Sequence, residues 1–276
     1  RLGSGDVRGK KVAKLRVSTG DVYKHAKRLV RMDVTDDGAV GGDEQRDRHR
    51  RGTDRIGEFR ELVSEQVVLD AAFAGADAVV HLAARAGVRP SIVDPKLYFT
   101  TNIDGTFNLL DACRYHGVNH FVLASSSSVY GVNKKVPFAE NDLIERTISP
   151  YAATKLSCEQ ICSNYANLFD IRCSCLRFFT VYGPRQRPDL AIAKFTQKIL
   201  QSEPIDRYGD GTTARDYTYV EDIISGVLGA IKYDAKDFDI FNLGGSATTT
   251  LAELIAMLEK TIGKKALINQ MPDQPG

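Results

Sequence analysis

The chain has 276 residues, of which 43% are hydrophobic, and its formal net charge is +2 at pH 7. This hydrophobic content is enough for a sizeable core, and the small net charge argues against a nucleic-acid partner. No apolar run reaches the roughly 18 residues that a membrane span needs, so we expect no membrane partner and a cytoplasmic protein. The five cysteines have no metal-ligand spacing with histidine. We expect them to be reduced core residues, and we expect no metal site.

The first 60 residues differ from the rest of the chain. They contain 16 of the 37 Lys and Arg but 10 of the 35 Asp and Glu. A nucleotide-binding sheet usually opens with an apolar strand and a glycine-rich turn into a helix, where backbone N–H groups approach a pyrophosphate. Gly3, Gly5 and Gly9 follow no predicted strand and have a different spacing. Residues 1–65 are therefore atypical, and no glycine-rich loop is found in them.

From about residue 66 the hydrophobic pattern alternates between strands and helices. Apolar runs that suit buried strands cover 76–82, 121–125, 171–178 and 238–243. Helices are predicted over 66–74, 94–115, 150–168, 190–200, 221–233 and 250–262. Buried strands that alternate with amphipathic helices predict an α/β fold with a doubly wound parallel sheet, as in Rossmann-like proteins.

Two short motifs indicate chemistry at one edge of this sheet. Tyr151 lies four residues before Lys155 on a predicted helix, so both side chains lie on one face. An ammonium beside a phenol favours the phenolate, which can take a proton from a sugar or alcohol hydroxyl. A serine run that includes Ser126 ends the preceding strand, and substrates dock at the ends of parallel strands. We expect the loop between them to bring Ser126 and Tyr151 together.

Five longer motifs resemble those of the extended short-chain dehydrogenases/reductases, and among them the NAD-dependent nucleotide-sugar epimerases. The motifs are HLAARAGVR at 81–89, SSSSVYG at 125–131, YAATK at 151–155, LRFFTVYGPRQRPD at 176–189 and ARDYTYVEDI at 214–223. The similarity covers roughly residues 66–276 and is greatest to UDP-glucuronate 4-epimerases. It implies a Rossmann-like NAD-binding domain over 1–180 and a smaller UDP-sugar-binding domain over 181–276. It also implies interleaved segments, a truncated C-terminal end and a homodimer.

The resemblance implies roles for individual residues. Ser126, Tyr151 and Lys155 match the catalytic triad, and Tyr151 and Lys155 would also contact NAD. The further NAD-binding residues that it implies are Leu82, Ala83, Ala84, Asn102 and Phe178. The substrate-binding residues are Arg89, Ser127, Ser128, Thr180, Arg187 and Arg215, of which Arg215 would hold the diphosphate.

The residues after Ser126 bear on the reaction. Similar dehydratases carry acidic residues there, and similar decarboxylases carry a glutamate at the position of Ser128. The neutral hydroxyls of Ser127 and Ser128 can catalyse neither dehydration nor decarboxylation, so simple epimerisation remains. A 4-keto glucuronate loses CO₂ readily, so an epimerase must fix its carboxylate, and Arg187 and Thr180 offer suitable groups.

We therefore expect NAD-dependent 4-epimerisation of a UDP-sugar, namely UDP-glucuronate to UDP-galacturonate, through a 4-keto intermediate. A UDP-glucose/UDP-galactose 4-epimerase is the alternative. A dehydrogenase that releases NADH stays open as well. A hypothesis of another class is that the chain is an inactive fragment, which retains UDP-sugar binding but lacks the NAD-binding part.

Overall fold

The structure, a computed structural model, describes residues 12–13, 73–245 and 247–273. These fall into two compact units. The first contains residues 12–13, 73–178 and 224–243, and the second contains 179–223, 244–245 and 247–273. Each unit is therefore built from separate stretches of the chain. The chain passes from the first unit to the second between Phe178 and Phe179.

The described strands, in chain order, are β1 Val12–Ala13, β2 Ala78–His81, β3 His120–Ser126, β4 Arg172–Phe178, β5 Thr180–Tyr182, β6 Pro204–Tyr208, β7 Ala214–Arg215, β8 Tyr217–Tyr219, β9 Phe238–Leu243, β10 Thr249–Thr250 and β11 Leu267–Met271. The α-helices are α1 Val88–Val93, α2 Pro95–Tyr98, α3 Gly105–His116, α4 Pro150–Phe169, α5 Ala191–Gln201, α6 Val220–Lys232 and α7 Leu251–Ile262. A π-helical segment, Phe99–Asp104, joins α2 to α3, and a 3₁₀ helix, Ser127–Tyr130, follows β3.

A parallel sheet forms the centre of the first unit. Its strand order over the described residues is β1-β2-β3-β4-β9. All seven residues of β3 are buried, as expected for a strand in the middle of a parallel sheet that is covered on both faces. The predicted α/β class with a parallel sheet is confirmed. The pairing of β1 with β2 was not predicted, and the predicted helix over 66–74 lies almost wholly outside the described residues.

The core of the first unit packs α3 and α4 against this sheet. Leu109, Leu110, Phe121 and Leu123 are almost completely buried in it. All five cysteines lie in the same cluster and form no disulfide, so the prediction that they are packed, unbridged residues is confirmed. Among the described residues, no helix is long and apolar enough to cross a membrane.

The predicted helix over 94–115 has an unexpected middle part. Its chain continues without a break from α2 through the π-helical segment into α3. The hydrogen bonds of a π-helical segment span one residue more than those of an α-helix, and such segments occur often at functional sites. Asn102 lies within it and is buried. The helix α1, which precedes it, was not predicted.

The second unit contains short strands in three pairs. Strands β5 and β8 are parallel, β6 and β11 are parallel, and β7 and β10 are antiparallel. Helices α5 and α7 pack on one another around Phe195, Ile199 and Ile255. Most of these strands were not predicted, because strands of two to five residues with partly exposed side chains leave little hydrophobic pattern.

Candidate active site

Ser126 is the last residue of β3, at the carboxyl edge of the sheet. It is 8% exposed, and its Oγ accepts a hydrogen bond of 3.2 Å from the backbone N of Ser128. The hydroxyl thus caps the following 3₁₀ helix, which also contains Ser127. Ser127 and Ser128 are both half-buried. Ser126 therefore ends the strand, and Ser127 and Ser128 follow it in the 3₁₀ helix.

The residue Tyr151 lies in the first turn of α4. The helix begins with Pro150, and the Oγ of Ser149 caps it by accepting from the backbone N of Ala152 at 3.1 Å. The backbone N of Tyr151 donates to Ser91 Oγ at 3.1 Å. Its ring is half-buried and meets Tyr98 edge to face, with 6.3 Å between ring centroids. The start of α4 is thus fixed by its cap and by α1.

Lys155 lies one turn further along α4 and is 4% exposed. Its Nζ donates to the carbonyl oxygen of Ala124 at 2.7 Å. Ala124 is two residues before Ser126, so Lys155 reaches the same strand end as the predicted catalytic serine. Burial lowers the pKa of Lys155, while neighbouring thiol and carboxyl groups, Cys158 first and then Glu159, act to raise it. The structure therefore brings Lys155 to the strand that ends at Ser126, with Tyr151 one turn earlier on the same helix.

The amide of Asn102 connects two segments near this point. Its Oδ1 accepts from the backbone N of Arg85 at 2.8 Å, and its Nδ2 donates to the carbonyl of Arg85 at 3.1 Å. The same Nδ2 donates to Thr154 Oγ1 at 2.9 Å, and that hydroxyl donates to the carbonyl of Tyr151 at 2.8 Å. Both amide hydrogens are thus used within the protein. Asn102 ties the loop after β2 to the first turn of α4.

The strand ends that should face NAD lie side by side. Leu82, Ala83 and Ala84 directly follow β2, which pairs with β3. Phe178, the last residue of β4, is the register partner of Ser126.

The loop after β2 continues through Arg85, whose Nε is buried and has no hydrogen-bond partner among the described residues. Arg89 is exposed on α1.

The other predicted substrate-binding residues belong to the second unit. Thr180 begins β5, and its backbone N donates to the carbonyl of Asp216 at 3.0 Å, next to the exposed Arg215. Thr180 and Arg215 are therefore close. The guanidinium of Arg187 already binds a carboxylate, because its Nε and Nη2 donate to Asp189 at 2.9 and 2.5 Å. This bond lowers the pKa of Asp189.

Comparison with known proteins identifies the family of this chain. The sequence model of the NAD dependent epimerase/dehydratase family matches residues 16–244. The chain belongs to this family. The match begins within the part that we regarded as atypical and ends at residue 244, whereas the similarity was expected over roughly 66–276.

Three relatives illustrate the match. An uncharacterized protein of Methanocaldococcus jannaschii is 45% identical over 200 residues, which cover 72% of this chain and 61% of that protein. UDP-glucuronate 4-epimerase of Thermodesulfobacterium geofontis is 45% identical over 190 residues, covering 68% and 58%. The structure of UDP-glucuronic acid 4-epimerase from Bacillus cereus with UDP-glucuronic acid and NAD has a TM-score of 0.73 and 39% identity, covering 78% of this chain and 68% of that one. The chain spans about three fifths of the length of these two curated relatives.

Within this epimerase/dehydratase chain, a buried ion pair was missed by the sequence analysis. Glu159 and Arg177 have side chains that are 1% and 3% exposed, and their closest N–O distance is 2.8 Å. Two signals could have revealed the pair. Glu159 continues the spacing of four from Tyr151 to Lys155, and Arg177 is a charge near the end of a buried strand, which requires a buried partner.

His81 is another buried polar residue of this family member. Its Nε2 lies 3.1 Å from Thr106 Oγ1. Burial, and to a smaller extent Lys155, lowers the pKa of His81 to about 3. The ring is therefore neutral at neutral pH, as expected for a histidine packed in the core. The described residues contain no group of three or more His, Cys, Asp or Glu that could hold a metal ion.

Proposed function

We propose that this chain catalyses NAD-dependent 4-epimerisation of a UDP-sugar, converting UDP-glucuronate to UDP-galacturonate through a 4-keto intermediate. One observation carries the proposal. The buried ammonium of Lys155 lies at the end of β3, two residues from Ser126, with Tyr151 one turn earlier on the same face of α4. Relatives whose names specify this reaction, and a neighbour with UDP-glucuronic acid and NAD, support it.

The residues of the first unit fit the nicotinamide half of NAD, which would supply a hydride acceptor and donor for C4 of the sugar. Lys155 offers a buried ammonium to the ribose, and the backbone of Phe178 lies beside Ser126. Arg85 Nε is a buried donor without a partner among the described residues, next to the small side chains of Ala83 and Ala84. An anionic or hydroxyl group of the cofactor would satisfy it. The expected place of the pyrophosphate, within residues 1–65, lies outside the described residues apart from 12–13.

The chain's own residues would handle the proton of the sugar. Tyr151, as phenolate, takes the proton from the 4-OH while C4 is oxidised, and it returns the proton to O4 when the ketone is reduced. Lys155 stabilises the phenolate by its charge. Ser126 donates its hydroxyl hydrogen to O4 as negative charge develops there. Asn102 contributes by fixing the turn that carries Tyr151.

The remaining substrate groups need cationic and hydroxyl partners. Arg215 would bind the diphosphate, with Arg89 in support. Ser127, Ser128 and Thr180 would hold the sugar carboxylate by their hydroxyls. Arg187 would add a charged fork by exchanging the carboxylate of Asp189 for that of the sugar. Both Arg187 and Asp189 are partly exposed to solvent, which permits this exchange.

We also propose that the protein is a cytoplasmic homodimer. Phe107 and Tyr115 on α3 and Leu168 on α4 are large side chains that are 47%, 71% and 64% exposed. A second copy of the chain would cover this exposed apolar area. The five unbridged cysteines suit a reducing compartment.

Turnover by the purified protein tests the function. UDP-glucuronate is incubated with and without added NAD⁺, and UDP-galacturonate is measured by proton NMR. We expect conversion to an equilibrium mixture, and slower conversion of UDP-glucose. If calorimetry shows that UDP binds but neither sugar is converted at any NAD⁺ concentration, the chain is a binding module and the proposal fails. Preferred conversion of UDP-glucose would support the alternative epimerase.

A further inference from the structure

A buried carboxylate lies one helical turn beyond Lys155. Tyr151, Lys155 and Glu159 stand at intervals of four residues on α4, so they share one face of the helix. The Glu159 side chain is 1% exposed. The chemistry proposed above uses Tyr151 and Lys155 and gives Glu159 no role. A charge this deeply buried is costly unless it is well paired.

Two adjacent strand ends hold the Glu159 carboxylate. Its Oε1 accepts from Ser125 Oγ on β3 at 2.5 Å and from Arg177 Nε on β4 at 3.0 Å, and its Oε2 accepts from Arg177 Nη2 at 2.8 Å. Ser125 and Arg177 are register partners. Each is followed by a residue of the proposed site, Ser126 in one strand and Phe178 in the other. One carboxylate therefore joins α4 to both strand ends.

Lys155 is bound to the same stretch of β3. Its Nζ donates to the carbonyl of Ala124, and the next residue, Ser125, donates to Glu159. The ammonium and the carboxylate are thus anchored at consecutive residues of one strand. A desolvated ammonium tends to lose its proton unless an anion is near, and neutral Lys155 could not stabilise a phenolate at Tyr151.

Several titratable groups of the described residues interact electrostatically with Lys155 or share its helix face. They are Tyr151, Cys158, Glu159 and Cys162 on α4, Cys175 on β4, and His81 on β2. Burial raises the pKa of Cys158, Cys162 and Cys175, so these thiols carry no charge at neutral pH. His81 is neutral there as well. Glu159 is the member of this set that is held as an anion in the protein without substrate. Its bidentate bond to Arg177 is that of a carboxylate.

We propose that Glu159 is a positioning residue that keeps Lys155 protonated in its dry site and holds the ends of β3 and β4 against α4. The catalytic consequence rests on the proposed function, in which the ammonium supports Tyr151. The protonation of Lys155 itself can be measured without substrate or cofactor, so the inference and the function can fail separately.

The direct test is a titration of Lys155 in the full chain by NMR, with lysine labelled with ¹³C at the ε carbon. Lys155→Met identifies its signal. In Glu159→Gln, which keeps the shape but removes the charge, we expect the titration midpoint of Lys155 to fall by about 1 to 3 pH units, the range for loss of a neighbouring opposite charge. Glu145→Gln, which removes an exposed carboxylate, is the matched control and should leave the midpoint unchanged.

A second variant tests the same charge with the opposite sign. Arg177→Gln removes the cation that competes for Glu159, so the midpoint of Lys155 should rise. This keeps the inference open to test if Glu159→Gln does not fold, which circular dichroism would show. An unchanged Lys155 midpoint in either variant would overturn the inference.

The pH profile of epimerisation gives the catalytic readout. In Glu159→Gln the alkaline fall of kcat/KM should begin at lower pH, by the same shift as the NMR midpoint, whereas Glu159→Asp, which keeps the charge, should retain the wild-type profile. A rate lowered equally at all pH values would contradict the inference. If the wild-type protein shows no turnover, the proposed function fails, while the lysine titration still decides the role of Glu159.

Discussion

The amide of Asn102 donates to the hydroxyl of Thr154 over 2.9 Å, joining two segments that are 52 residues apart in the chain. Through this bond, the π-helical segment is tied to the turn of α4 that carries Tyr151. The same amide holds the backbone of Arg85, directly after the strand end at which NAD is expected to bind. The loop after β2 and the helix that carries Tyr151 are therefore held together by one buried side chain.

Replacing this amide should damage both stability and catalysis. In Asn102→Ala the Arg85 backbone N loses its acceptor and the Thr154 hydroxyl loses a donor, and a buried unsatisfied group costs about 1–3 kcal/mol. We expect a decrease of that order in the free energy of unfolding, measured with urea, and a larger effect on kcat than on KM. Asn108→Ala, in the following turn and only half-buried, is the control. Unchanged stability and rate in Asn102→Ala would show that the link is unimportant.

Loss of the Tyr151 hydroxyl should abolish most turnover. Tyr151→Phe removes the proposed acid–base group and leaves the ring, and such a loss typically costs about 10²–10⁴-fold in rate. UDP binding, measured by calorimetry, should be nearly unchanged because the diphosphate is proposed to bind at Arg215. Tyr115→Phe, at a tyrosine that is 71% exposed, should behave as wild type. A Tyr151→Phe rate close to wild type would refute the assignment.

Arg187 should distinguish an acidic sugar from a neutral one. A hydrogen bond to a charged group contributes about 1.5–3 kcal/mol, so Arg187→Ala should lower kcat/KM for UDP-glucuronate by roughly 10- to 100-fold. UDP-glucose should be affected little. If the carboxylate also loses its orientation, a 4-ketopentose from decarboxylation should appear among the products, detected by mass spectrometry.

A second variant, which breaks the ion pair between Arg187 and Asp189, complements this test. Asp189→Asn removes the anion that occupies the fork of Arg187, so the KM for UDP-glucuronate should decrease and that for UDP-glucose should not. Arg185→Ala, at a neighbouring exposed arginine, is the control. Equal losses on both sugars in Arg187→Ala would mean that Arg187 supports its loop, and would favour the UDP-glucose/UDP-galactose epimerase.

His81 should make the fold sensitive to acid. The folded pKa, about 3, lies below the unfolded value of 6.5, so between these values the unfolded chain binds the extra proton. Its contribution to stability is present above pH 6.5 and is lost as the pH falls toward 3, by at most about 1.4 kcal/mol per pH unit. We expect His81→Asn to flatten the decrease of unfolding free energy between pH 6.5 and 4.5. An equal slope in both proteins would contradict the expected burial of a neutral ring.

The sequence was sufficient to predict the elements around Ser126, Tyr151 and Lys155. Buried parallel strands are continuous apolar runs, and a spacing of four on a helix fixes a common face, so both signals are local. The register that places Phe178 beside Ser126 follows from the adjacency of β3 and β4.

Other features depend on contacts between distant segments and could not be predicted. The bond between Ser125 and Glu159 and the ion pair between Glu159 and Arg177 require the packing of α4 on the sheet. The wider turn around Asn102 leaves no hydrophobic signal. The pairing of Arg187 with Asp189 was missed for another reason. A charged turn gives no indication in the sequence of which partner its guanidinium selects.

The most direct measurement follows a deuterium label at C4 of UDP-glucuronate through the reaction in ordinary water. The proposed epimerisation requires that the hydrogen removed from C4 return to the same carbon from the opposite face, while only the proton of the 4-OH passes through Tyr151. UDP-galacturonate isolated at equilibrium should therefore retain the deuterium at C4, as measured by mass spectrometry and NMR. Product that has lost the label to solvent, or release of labelled NADH in place of UDP-galacturonate, would contradict the proposed epimerisation.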